Sequence, residues 1–145
     1  MDEKIDRLQR HLALLRGCAG WTAANLAERL GVKRQTVSTL EQGPDKYQMT
    51  KMQYLAIRRT FDEEISLAKD ETQMLSLVID AIIDNPELYT PQERTEILEK
   101  AQLLAPAIIK QPSQRKDASN TWKAILAASG IVASVALMAF LKKKD

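Results

Sequence analysis

The residues best suited to chemistry in this chain stand close together between positions 34 and 39. They are Arg34, Gln35, Thr36, Ser38 and Thr39. These are long or hydroxylated donors and acceptors, the types that pair with base edges and phosphates in a DNA groove. The chain carries one His, His11, and one Cys, Cys18. That excludes an internal disulfide, a Cys-rich zinc site and a His-based nucleophilic triad. No catalytic residue, metal site or cofactor is expected, and the reading is of a binding protein, not an enzyme. The acidic groups Asp62, Glu63 and Glu64, and Asp70 with Glu71, read as a solvated helix face. Cys18 reads as a small filler between helices, Trp21 as core, and His11 as a surface residue of a helix.

Charge supports a polyanion partner. Residues 1–61 hold 11 Lys and Arg against 6 Asp and Glu, a net +5. Residues 62–109 hold 3 against 11, net −8, and residues 110–145 hold 7 against 2, net +5. A basic module, an acidic module and a basic tail follow one another.

Positioning the 34–39 cluster requires helices. Ile5, Leu8, Leu12 and Leu15 recur at steps of three and four, which predicts a helix over about residues 2–16, ended by Gly17 and Gly20. Thr22 is suited to cap a second helix through its hydroxyl, and Gly31 stops it. A third runs from Lys33 to Gln42 and stops at Gly43-Pro44; Thr50 caps a fourth that reaches about Phe61. Leu26, Leu30, Val32, Val37 and Leu40 are expected to share one core, with Ala27 small where two helices cross and Arg34, Gln35, Thr36, Ser38 and Thr39 outward.

Residues 22–43 resemble the Cro/phage-repressor helix-turn-helix family, also called xenobiotic-response-element (XRE) regulators. Leu26-Ala27, Gly31-Val32, Val37-Ser38, Leu40-Glu41 and Gly43 stand at that family's spacing, and the resemblance covers roughly residues 8–65. It implies a compact five-helix domain over residues 1–61 that binds double-stranded DNA. It implies base reading by Arg34, Gln35 and Thr39. Phosphate or mixed contacts then fall to Thr36, Gln42, Lys33 and Lys46. It also implies a partly buried ion pair between Arg16 and Glu41. The chain departs from the family at Ala23, where a phosphate-touching Gln is common, and at Lys33, where a Ser or Thr cap is common.

In the acidic module Ile65, Ala68, Thr72, Leu75, Ile79 and Ile82 predict one helix, broken at Asn85-Pro86. Thr90, Pro91 and Glu93 open another through a capping box. Its seam is Ile97, Ala101, Leu104 and Ile108, with Pro106 ending or kinking it. This acidic hairpin, residues 62–109, is expected to join two copies into a homodimer through the 65–108 helices. Residues 110–121 read as a polar linker.

Residues 124–141 form an uncharged run of 18 residues, flanked by Trp122 and Lys123 before it and by three Lys in the basic tail 142–145. As a helix it spans about 27 Å at ~1.5 Å per residue, close to a ~30 Å hydrocarbon core. Gly130 and Ser134 make a small-xxx-small pair. The expectation is a single C-terminal transmembrane helix over 122–141, in contact with membrane lipid. No N-terminal signal peptide is read at Met1, so the head is placed at the cytoplasmic face of the cell membrane. The whole is then an all-α, membrane-associated DNA-binding transcriptional regulator, a dimeric repressor. The alternative is a membrane-anchored envelope or cytoskeletal adaptor whose helix-turn-helix binds protein.

Overall fold

The computed structural model describes residues 2–128 and 135–141, all of them helix, turn or loop. Helices α1 (Asp2–Arg10), α2 (Leu12–Ala19), α3 (Ala23–Leu30), α4 (Arg34–Leu40) and α5 (Lys51–Leu67) form the N-terminal half. Next come α6 (Gln73–Val78), a π-helical turn (Ile79–Asp84), α7 (Pro91–Lys110), α8 (Arg115–Ala128) and α9 (Val135–Leu141). Short 3-10 turns precede α7 and α8.

The expected first helix is two. His11 leaves helical geometry at φ −111°, so α1 and α2 meet at a bend, and α2 continues to Ala19. Its stripe is sound: Leu8, Leu12 and Leu15 have no exposed surface. Val32 departs from the expected core and is 42% exposed in the turn between α3 and α4. The helix expected over residues 65–82 is interrupted at residues 68–72, between α5 and α6. Apolar spacing carried across this break because Leu75, Ile79 and Ile82 face the same core that Phe61 enters. Pro106 neither ends nor breaks α7, which runs on to Lys110.

One apolar core joins both halves. α7 packs along α2, α6 touches α2 and α5, and α8 lies on α6 and α7. Gly17 lets α7 approach, since a Cβ there would lie 3.1 Å from the Ala105 Cβ. The seam expected to pair two copies is spent here: Ile97 and Ala101 are wholly buried and Ile108 nearly so, all within one chain. The 65–108 helices therefore have no exposed a/d stripe left for a homodimer.

The C-terminal membrane anchor is also overturned. Among the described residues no helix is long and apolar enough to cross a membrane. The polar stretch 115–121, expected as linker, is the first half of α8, which continues into the apolar run. Trp122, expected at a lipid interface, has no exposed surface and meets Phe140 edge-on at 6.2 Å. Leu126 and Leu137 are buried in the same core. The run read as apolar on all sides because Ala is counted apolar, yet Ala124, Ala127 and Ala128 are exposed, at little cost for so small a side chain. With the anchor go the lipid contact through 122–141 and the placement at the membrane's cytoplasmic face. Gly130, Ser134 and the basic tail 142–145 lie outside the described residues.

Candidate nucleic-acid interface

The site is built on two short helices joined by a turn. Thr22 accepts from the Asn25 backbone N–H at 3.1 Å, and the Asn25 side chain accepts from the Thr22 N–H at 2.9 Å. That reciprocal cap starts α3 cleanly. Gly31 adopts φ +71°, the left-handed conformation that lets the chain reverse out of α3; a side chain there would be strained. α4 then packs across α3. Val37 has no exposed surface and Leu40 only 5%, while Leu26 and Ala27 meet them from α3.

This anchoring decides which α4 side chains face out. Lys33, Arg34 and Gln35 are exposed. Thr36, Ser38 and Thr39 are half-buried, less exposed than the expectation had them. Gln42 and Lys46 are exposed in the following loop. Lys33 is the N-cap residue of α4 and makes no side-chain hydrogen bond there. Arg10 meets Asp45 of the same loop at 3.6 Å.

The C-terminal end of α4 is held tightly. Arg16 grips Glu41 with two donors, Nε to Oε2 at 2.5 Å and Nη2 to Oε1 at 3.1 Å. Its Nη1 also donates to the Trp21 carbonyl at 3.2 Å. Both side chains are largely shielded, at 17% and 16% exposure. The fork geometry of a guanidinium suits this bidentate pairing.

Gln9 was not singled out from sequence, and it is a main support of the loop. It is 1% exposed. Its amide nitrogen donates to the carbonyls of Leu40, at 3.0 Å, and of Tyr47; its oxygen accepts from the Met49 N–H at 2.9 Å. The signal was available: Gln9 is four residues after Ile5 and three before Leu12, inside the apolar stripe. A polar residue there must be hydrogen-bonded. Glu64 is a second miss. Instead of a solvated face it is 12% exposed and held by Arg115 at 2.6 Å.

Two single residues stay outside the site. Burial pushes the Cys18 thiol up to about 12, so it is held as an unreactive thiol in the core. His11 is half-buried at the α1–α2 bend, not a surface residue, and burial, aided by the Arg10 charge, lowers its pKa. Trp21 stacks on Phe61 at 5.6 Å and carries the Arg29 guanidinium on its ring at 4.2 Å.

No curated protein and no solved structure matches the chain. A family model described as Helix-turn-helix domain matches residues 7–48, which is under half of the chain and takes in α2, α3, α4 and the end of α1. In fold and in family match, this segment of the chain is a helix-turn-helix domain.

Proposed function

We propose that the chain is a DNA-binding transcriptional regulator whose α4 enters the major groove and whose occupancy of promoter DNA represses. The observation that carries the reading is the division of α4: Val37 and Leu40 lock it into the core, while Arg34 and Gln35 are exposed at its start. In this motif the N-terminal residues of the second helix meet base edges. Arg34 is suited to guanine and Gln35 to adenine, with Thr39 further along the helix. Lys33, Thr36, Gln42 and Lys46 are assigned to phosphates around them, and the +5 charge of residues 1–61 favours the approach.

The test is selection of bound duplexes from a random pool by the full chain. Enrichment of a defined sequence that Arg34→Ala no longer prefers supports the reading. Binding of no duplex at low salt defeats it. Retention of a protein partner through α4 under those conditions would establish the adaptor reading instead. The selected site also decides stoichiometry: half-sites about 34 Å apart and related by symmetry require two heads.

A further inference from the structure

The recognised domain ends at Gln48, yet its α2–α3 corner is held by residues from the far end of the chain. Pro112 lies directly on Gly20: a Cβ at Gly20 would sit 3.2 Å from the Pro112 Cβ and 3.4 Å from Ile108 Cγ2. Gly20 has φ +84°, a left-handed conformation at the point where the chain turns from α2 toward α3. Arg115 completes the contact. Its Nη1 donates to the Ala19 carbonyl at 3.0 Å, an end-of-helix acceptor that α2 leaves unpaired. The same guanidinium meets Glu64 of α5 at 2.6 Å and Glu71 at 3.5 Å, with its side chain 12% exposed. Glu64 reaches on to Arg29 of α3 at 3.8 Å.

These groups surround a cavity of about 690 Å³ lined by Trp21, Glu28, Arg29, Glu64, Glu71 and Arg115 among others. Arg29 and Arg115 are spent on Glu64, Glu71 and the Ala19 carbonyl. The cavity is therefore a junction whose opposite walls, the helix-turn-helix corner and the start of α8, are bound to one another.

We propose that Arg115 is a positioning residue for DNA binding. It fixes the angle between α2 and α3, and thereby the pose of α4, from a segment outside the helix-turn-helix domain. The start of α8 is thus part of the DNA-binding machinery, and a change in its contacts with the α2–α3 corner reaches α4. This inference rests on the DNA-binding reading above.

The experiment compares the full chain with Arg115→Ala, Arg115→Lys and a core control, Val78→Ala, which is fully buried and does not line the junction cavity. Affinity for the selected duplex is measured at a temperature where all four proteins are folded by circular dichroism. Arg115→Ala is expected to lose about tenfold in affinity, within the 5–150-fold range of ordinary coupling between sites. Arg115→Lys should fall between, since an ammonium keeps the charge but not the fork. Val78→Ala, destabilised but intact at the corner, should change affinity less than about twofold if coupling is local. Equal losses in Arg115→Ala and Val78→Ala would overturn the proposal. Amide chemical shifts give a readout free of DNA: Arg115→Ala must move signals of residues 19–26 and 34–40, and unmoved signals in α4 overturn it as well. If the native chain binds no duplex, the DNA reading falls, and the amide shifts alone still decide whether Arg115 positions α4.

Discussion

Two arginines tie the last turn of α2 to other parts of the molecule. Arg16 reaches toward α4 and holds Glu41; Arg115 reaches in from the C-terminal helices and holds Glu64 and the Ala19 carbonyl. Both are shielded and both pair with a carboxylate through short contacts. They differ in span. Arg16 and Glu41 are 25 residues apart and lie inside the matched domain, whereas Arg115 closes a separation of 96 residues to Ala19. The first knot makes the helix-turn-helix a unit. The second makes that unit depend on the rest of the chain.

The strongest way to break this comparison is to remove the core beneath the second knot. Trp122 has no exposed surface, so Trp122→Ala should cost about 3–5 kcal/mol. Because one core joins both halves, denaturant unfolding followed at Trp21 should shift by the same amount as unfolding followed by circular dichroism. A Trp21 transition left in place would show that the N-terminal half folds without the C-terminal helices.

The first knot comes next. Its side chains are about five-sixths shielded, and Glu41→Ala strands Arg16 in that setting. A loss of about 2–3 kcal/mol is expected, below the 3–5 of a fully buried pair and above the 0–1 of an exposed one. Arg16→Ala should cost a similar amount, and the double variant less than the sum. Additive losses in a double-mutant cycle would mean that the two charges do not depend on one another.

The exposed face of α4 should behave oppositely to either knot. Arg34→Ala and Gln35→Ala should leave stability within about 0.5 kcal/mol. Each should nevertheless reduce discrimination between selected and altered duplexes by about 1–3 kcal/mol. Competition gel shifts report the second quantity and thermal melts the first. A variant that unfolds without losing discrimination would place its side chain in the core.

The smallest effect is on pH. The His11 pKa is lowered in the folded chain, so the unfolded chain takes up the proton more readily. This group's contribution is intact above the unfolded value of ~6.5 and is lost as pH falls through and below it. His11→Gln should flatten the acid limb of the stability profile near that value while leaving neutral stability almost unchanged. An unaltered limb would remove His11 from the bend's energetics.

Local chemistry made much of this protein legible in the chain itself. Thr22, Thr50 and Thr90 each cap a helix through neighbours three residues on, and Gly31 turns the chain by its own backbone freedom. Such features depend on contacts within a few residues, so type and spacing suffice. The spacing of Val37 and Leu40 likewise decided which side of α4 could face away from the core. What neighbours in space supply could not be read that way. The apolar run after Trp122 suits lipid or protein equally by composition, and only the tertiary packing assigned Leu126 and Leu137 to a protein core. The seam at Ile97, Ala101 and Ile108 was a true seam, but periodicity does not say whether the facing surface belongs to another copy or to α2 of the same chain. Arg115 looked like one polar residue in a linker. Its partners lie 96 and 51 residues away in sequence, and only folding brings a charge to its counter-charge across that distance.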